Sequence, residues 1–156
     1  MVGNDSLQDF TEETTLTLRN DLTELDRVNA WTDAFCERHG LSVKMAYYLQ
    51  LIFDELLTNI ISYGYNDEAE HAIEVKLAFA GSAVEVSIVD DAMAFNPLEK
   101  EDPDIRQSVD ERPIGGLGIY FVKRIVDEIT YEREGPYNRL WMKRAIKPED
   151  VQQGEN

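Results

Sequence analysis

Two runs of alternating residues on either side of a glycine constrain the fold more than any other feature of this sequence. AIEVKLAFA (72–80) and AVEVSIVD (83–90) place apolar residues at every second position, and Gly81-Ser82 separates them. A period of two is typical of strands with one buried face. A short glycine-containing link favours an antiparallel hairpin. The sequence therefore predicts a sheet with one apolar face to be covered.

Three segments with helical spacing can cover that face. DLTELDRVNAWTDAFCERHG predicts a first helix, with Asp21 in a start that resembles a capping box. Ser42 is the predicted cap of a longer helix that ends at Gly64, where left-handed geometry is expected. GGLGIYFVKRIVDEI predicts a third helix, whose apolar positions continue to Ile129.

Further strand patterns stand at both ends of the chain. TLTLRN alternates from Thr15 to Arg19, and ITYERE and NRLWMKRAI flank Gly135-Pro136 as a second hairpin. Helices combined with mostly antiparallel strands indicate an α+β protein built as a two-layer sandwich.

The length and the pattern divide the chain into one domain and two ends. The 156 residues suffice for one hydrophobic core. We expect a flexible extension over 1–13, the domain over 14–146 and a loose tail over 147–156. Residues from about 91 to 114 lose all periodicity and hold three prolines, which favours a lid.

Charge and composition exclude several function classes. The formal charge of −16 disfavours direct binding to nucleic acid or to an anionic membrane. The single cysteine excludes an internal disulfide, and the sequence has no spacing for structural zinc. No signal peptide and no membrane span are predicted, so we expect a cytoplasmic protein.

The most informative polar pair lies within FDELLTNIISYGY, residues 53–65. Glu55 and Asn59 are four apart and share one helix face among aliphatic neighbours. Asn59 can be a ligand of Mg²⁺, and Glu55 can take a proton from an attacking hydroxyl or water. The alternative is a polar stripe on an amphipathic helix, which a lone pair of this kind cannot exclude.

Two other segments carry candidate binding residues. Asp90 ends an apolar strand and can accept a hydrogen bond from an exocyclic amine such as that of adenine, although an Asx turn is the alternative. GGLG (115–118) begins the third helix, where backbone amides favour phosphate, although a flexible loop before a helix is equally consistent. Neither a Walker loop nor a dinucleotide-binding glycine motif occurs.

In order, DELLTNIISYGY, VDDAMAFNPLE and ERPIGGLGIYFVKRIVDEITYE resemble the N, G1 and G2 boxes of the GHKL ATPase superfamily. The chain resembles in particular its small standalone anti-sigma factors, the serine/threonine kinases of bacterial partner-switching systems. The resemblance implies a mixed, mostly antiparallel sheet of about five strands with helices on one face. It also implies ATP and Mg²⁺ as cofactors, a serine of a small antagonist protein as phosphoacceptor, and direct binding of a sigma factor. The sequence leaves homodimerisation open.

Site residues follow from the resemblance position by position. The general base falls on Glu55, the Mg²⁺ and nucleotide ligand on Asn59, and the adenine-contacting carboxylate on Asp90. The remaining nucleotide-binding positions of the G1 and G2 boxes are Ala92, Gly115, Gly116, Leu117 and Gly118.

Departures from the family pattern motivate a second hypothesis. Ala92 replaces the G1 glycine and would strain a positive φ. Tyr63 replaces a histidine, and NRLW stands where many relatives have a Gly-Thr pair near the adenine. The alternative function is therefore a partner-switching module that binds nucleotide, or only partners, without catalysis. A domain serving a histidine phosphorelay is disfavoured by Glu55.

Overall fold

The computed structural model describes residues 10–99, 101–102 and 117–153. These residues form five strands and three α-helices. The strands are β1 (Glu12–Arg19), β2 (Ala72–Phe79), β3 (Ala83–Asp90), β4 (Glu128–Glu134) and β5 (Tyr137–Ala145), and the helices are α1 (Leu25–Arg38), α2 (Val43–Tyr63) and α3 (Leu117–Ile125). None of the described helices is both long and apolar enough to cross a membrane.

The five strands form one sheet in the order β1-β2-β3-β5-β4, and all four pairings are antiparallel. Both predicted hairpins are present, and Gly81 and Gly135 have the positive φ values of 83° and 56° that such turns use. The predicted α+β fold class is confirmed, with antiparallel pairing throughout. β1 begins at Glu12, two residues before the predicted domain boundary.

One face of the sheet carries the core. The register aligns Leu18 with Ile73, Val75 with Ile88, and Val86 with Met142, so the apolar residues of four strands lie on the same face. They pack with Val28 and Phe35 of α1, Leu49, Ile52, Phe53 and Leu57 of α2, and Ile119 and Val122 of α3. The helices therefore lie on one face, as the alternating pattern predicts.

The helix ends differ from the sequence predictions in instructive ways. The Ser42 hydroxyl accepts a hydrogen bond from the backbone N–H of Met45 at 3.0 Å, so the predicted cap of α2 is confirmed. Asp21 accepts from the N–H of Thr23, but it begins a short 3-10 turn, and α1 itself begins at Leu25. Glu24 does not complete a capping box, because its carboxylate accepts the N–H of Arg19 instead.

The left-handed geometry predicted for Gly64 is wrong. Its φ is −83° and its ψ is −21°, which any residue can adopt. Glycine is needed there because of space. A Cβ would lie 2.5 Å from the Ile60 carbonyl oxygen and 2.8 Å from the Ala92 methyl. The close approach of the 91–93 segment to the end of α2 therefore explains this glycine.

The third helix is shorter than its apolar pattern. It ends at Ile125, and Ile129 belongs to β4, because the N–H of Asp127 already bonds to the Lys143 carbonyl and strand pairing follows. An apolar residue on the inner face of a strand happens to continue the helical spacing. Part of the predicted lid (100 and 103–114) lies outside the described residues, as do 1–9 of the predicted extension.

The described part of the C-terminal segment, 147–153, is folded against the domain, which corrects the prediction of a loose tail. Asp150 is fully buried, and its carboxylate accepts from both Nε and Nη2 of Arg144 at 3.1 and 2.9 Å. Its carbonyl accepts the N–H of Ser42, and Val151 forms a bridge with Leu41. The sequence did not reveal the buried ion pair between Arg144 and Asp150. Acidic and basic residues look the same in a sequence whether they are buried or exposed.

Candidate functional site

A cavity of about 500 Å³ lies between the last turns of α2 and the sheet. Its walls are mostly apolar, with Leu56 and Ile60 from α2 and with Ile88 and Leu140 from the sheet. Polar side chains converge on it from three separate elements, namely Asn59, Asp90 and Asn138. Concave apolar walls with a few convergent polar groups are typical of small-molecule sites.

Asp90 lies at the end of β3 and is 4% exposed. Its Oδ1 accepts hydrogen bonds from the N–H of Ala92 and from Nδ2 of Asn138, both at 2.9 Å. Burial raises the pKa of this carboxyl, and the two hydrogen bonds oppose the shift. The bond to Ala92 is an Asx turn, so Asp90 both closes the strand and lines the cavity. The two sequence interpretations of Asp90 are thus compatible.

Ala92 is accommodated without backbone strain. No described residue other than glycine has a positive φ, so the strain expected from replacing a glycine here is absent. Ala92 is 5% exposed, and its methyl lies against Gly64 at the end of α2. The two positions share one small space, in which a methyl on one side is matched by a bare Cα on the other.

Glu55 lies one turn before Asn59 on α2 and meets the start of α3. A Cβ on Gly118 would lie 2.9 Å from Cγ of Glu55 and still closer to its carboxylate. The bare Cα of Gly118 therefore allows the carboxylate to lie against the first turn of α3. Partial positive charge at a helix N-terminus favours a carboxylate in this place. Glu55 itself is half-buried and stands beside the cavity rather than in its wall.

Asn59 forms part of the cavity wall and is half-buried. Its side-chain amide carries an oxygen of the kind that can coordinate a hard cation. The described residues contain no group of three or more His, Cys, Asp or Glu side chains arranged for a metal. The side-chain oxygen of Asn59 fits Mg²⁺, because this ion commonly takes one or two protein ligands and completes its shell with phosphate oxygens and waters.

The structure thus brings Asn59, Asp90 and Ala92 together around one cavity, and it places Glu55 against Gly118. Gly115 and Gly116 lie outside the described residues. Leu117 is the first residue of α3. The assignment of the amides at these positions to phosphate stays a prediction.

Sequence reasoning did not single out Asn138, which is 6% exposed and directly opposite Asp90 in the β3–β5 register. Its only signal in the sequence was its departure from the Gly-Thr pair. The pairing of β3 with β5 joins residues 48 positions apart. A single sequence does not reveal that register.

The cavity suits a nucleotide. Its volume lies within the range of about 300–1,000 Å³ that is usual for small-molecule sites. Apolar walls can enclose a flat base, Asp90 offers an acceptor at the strand end, and Asn59 lies along the wall towards Glu55. The residues present therefore fit a nucleoside phosphate.

Relatives of this chain are named protein kinases. Serine/threonine-protein kinase BtrW of Bordetella bronchiseptica is 26% identical over 119 residues, which cover 76% of this chain and 84% of BtrW. Serine-protein kinase RsbW of Bacillus velezensis is 26% identical over 104 residues, and RsbW of Bacillus subtilis is 22% identical over the same length. Each match covers 60% of this chain and 64% of RsbW, a little under two thirds of that protein.

A solved structure gives the same fold. The crystal structure of the RsbU and RsbW domains of a Mycobacterium tuberculosis protein superposes with a TM-score of 0.59 at 15% identity, covering 92% of this chain and 35% of the other. The family model described as "Histidine kinase-like ATPase domain" matches residues 18–144. These findings support the predicted assignment to the partner-switching branch of GHKL proteins. The chain belongs to the histidine kinase-like ATPase domain family.

Proposed function

We propose that this protein is an ATP-dependent serine/threonine protein kinase that uses Mg²⁺ and acts as an anti-sigma factor. Its substrate is a serine of a small antagonist protein in a bacterial partner-switching system. The relatives named as serine kinases support the reaction class. The proposed partners, the antagonist and a sigma factor, follow from the resemblance, as does the cytoplasmic location.

The position of the Glu55 carboxylate carries this proposal. It lies against Gly118 at the start of α3 and one turn from Asn59, and Asn59 and Asp90 line the cavity beside it. A polar stripe on the solvent side of α2 would have no reason to meet a glycine at a helix start. The arrangement instead places a carboxylate where phosphates can approach backbone amides.

Each residue has a separate task in the proposed reaction. Asp90 accepts a hydrogen bond from the base, and Asn59 holds the metal. When bound, Mg²⁺ offsets negative charge on the phosphates. Glu55 orients the serine hydroxyl and takes its proton as the oxygen bonds to the γ-phosphorus, and ADP is the leaving group. The N–H groups at the start of α3 stabilise the charge that develops.

The test is phosphotransfer from γ-labelled ATP and Mg²⁺ to the cognate antagonist protein. Glu55→Gln keeps the shape of the side chain and removes the base, so we expect the rate to fall about 10²- to 10⁴-fold. Nucleotide binding, measured by calorimetry, should change little. Asn59→Ala should weaken Mg²⁺-dependent binding itself.

Asp54→Asn is the matched control, since it removes the neighbouring carboxylate from the same helix and should leave the rate near that of the wild type. Label transfer that survives Glu55→Gln unchanged would contradict the assignment of the base. ATP binding without any transfer would instead support the non-catalytic alternative. That alternative was motivated by Ala92, and of its two grounds, an added methyl near the base and backbone strain, the absence of a positive φ answers the strain.

A further inference from the structure

Asn138 is the most highly connected polar side chain of the cavity, yet the proposed reaction gives it no task. Its Nδ2 donates to Oδ1 of Asp90 at 2.9 Å, to the Met93 carbonyl at 3.0 Å and to the Ala92 carbonyl at 3.3 Å. Its Oδ1 accepts from the Tyr131 hydroxyl. A residue that is 6% exposed thus joins β3, β5, β4 and the segment after β3.

The orientation of this amide is determined by its partners. Nη1 of Arg133 and the N–H of Phe95 can only donate, and both point at Oδ1 of Asn138, at 3.2 and 3.4 Å. The carbonyls that face Nδ2 can only accept. A flipped amide would place donor against donor and acceptor against acceptor. Nδ2 therefore faces Asp90.

This orientation changes what Asp90 can offer to a ligand. Oδ1 of Asp90 has two lone pairs, and the Ala92 N–H and Nδ2 of Asn138 occupy both. No donor within the described parts of the chain reaches Oδ2. The carboxylate therefore presents one accepting oxygen to the cavity instead of two.

A single acceptor distinguishes the two purines by their chemistry. Adenine presents one exocyclic amine beside a ring nitrogen that only accepts, so one carboxylate oxygen satisfies it. Guanine presents two adjacent N–H donors, which match a carboxylate that accepts with both oxygens. With Oδ1 already occupied, one guanine N–H would be left buried without a partner, which is costly.

We propose that Asn138 is a positioning residue that makes Asp90 a single acceptor and so selects adenine over guanine. The inference rests on the proposed function, because it assumes that this cavity binds a nucleoside phosphate. It also accounts for a polar residue at this buried position of β5, where a simple sheet core would need none.

The test compares Mg²⁺–ADP with Mg²⁺–GDP by calorimetry, since diphosphates avoid turnover. Asn138→Val removes the N–H donor to Asp90. Asn138→Thr introduces a side chain of the same shape as valine, but with a hydroxyl that can donate to Asp90. We expect the preference for ADP over GDP to fall about tenfold or more in the valine variant and to be largely retained in the threonine variant. Circular dichroism checks that both fold.

A purely structural role gives a different result. If Asn138 only holds the loop, both affinities fall together and the ratio stays unchanged, or both variants lose the ratio equally. Either result overturns this inference and leaves the proposed function unaffected. If Asn138→Val does not fold, Asn138→Ala gives the second measurement. It also removes the donor to Oδ1 of Asp90, and an unchanged ratio there counts against the inference. Wild-type protein that binds neither diphosphate overturns both this inference and the proposed function.

Discussion

One added methyl group at Gly118 tests the placement of Glu55 more sharply than removal of the carboxylate does. An ideal Cβ there would be 2.9 Å from Cγ of Glu55 and closer still to the carboxylate atoms. Contacts between carbon atoms are favourable only near about 3.5–4.0 Å. Gly118→Ala must therefore displace the Glu55 carboxylate. The end of a side chain moves more easily than the helix backbone, so the fold should persist.

The expected magnitudes differ for turnover and for stability. Misplacing a catalytic group by about 1 Å can cost about 10²-fold in rate, and complete loss of a general base costs about 10²- to 10⁴-fold. Alanine is more stable than glycine in a helix interior by about 0.8–1.0 kcal/mol. Gly118 is in the first turn of α3, so this gain is partial and opposes the cost of moving Glu55. We expect a change in the free energy of unfolding below about 1 kcal/mol.

Phosphotransfer rates and urea denaturation of four proteins measure these effects. They are the wild type, Gly118→Ala, Glu55→Ala and the double variant. Because Glu55→Ala removes the group that the new methyl displaces, the double variant should be about as slow as Glu55→Ala alone. Turnover of Gly118→Ala at the wild-type rate, or losses that multiply in the double variant, would refute the reasoning.

Three further predictions follow from contacts away from this point. Asp150→Ala should lower the free energy of unfolding by about 3–5 kcal/mol, because it leaves the buried guanidinium of Arg144 without its carboxylate. The control is Glu149→Ala at an exposed position, and equal urea midpoints for the two variants would contradict the prediction. The pKa of His71 is raised above its usual 6.5, first by its hydrogen bond to Asp91 and then by one to a second carboxylate. Its contribution to stability is therefore complete below about pH 6.5 and is lost as the pH rises through the raised pKa. In an NMR titration of the ring, Asp91→Asn should return the pKa towards its ordinary value, and no change would contradict this cause. Gly64→Ala should destabilise by about 1–3 kcal/mol, because a Cβ would lie 2.5 Å from a backbone oxygen of α2; thermal unfolding without any shift would show that α2 can move aside.

Local signals in the sequence predicted the parts of the fold that local forces determine. Alternation and Gly81 predicted the β2–β3 hairpin, and Ser42 predicted the start of α2, because a turn and a cap depend on only a few neighbouring residues. Gly64 was correctly identified as the end of α2 for an incorrect reason. The constraint on it is a contact with Ala92, which lies 28 residues later.

The parts that the sequence did not reveal depend on contacts between distant elements. Asn138 meets Asp90 only because β5 pairs with β3, and Asp150 is buried only because Arg144 faces it. Asparagine and aspartate are usually exposed, so the residue types alone favoured an exposed position for both Asn138 and Asp150, which are buried. The Glu55 and Asn59 pair was predictable because the helical repeat of α2 fixes their common face before any tertiary contact forms.

The two ends of the proposed nucleotide site are built in different ways, and this separates binding from turnover. At the base end, Asp90, Ala92 and Asn138 are each less than 10% exposed and are joined by hydrogen bonds before any ligand arrives. Such preorganisation lowers the cost of ordering on binding, so substitutions there should act mainly on Kd. At the other end, the carboxylate of Glu55 stands at the end of a flexible side chain and lies close to Gly118. Such a group can be displaced while the base still binds, so substitutions there should act mainly on kcat. The ratio of the two effects in each variant thus reports which end of the proposed site the substituted residue serves.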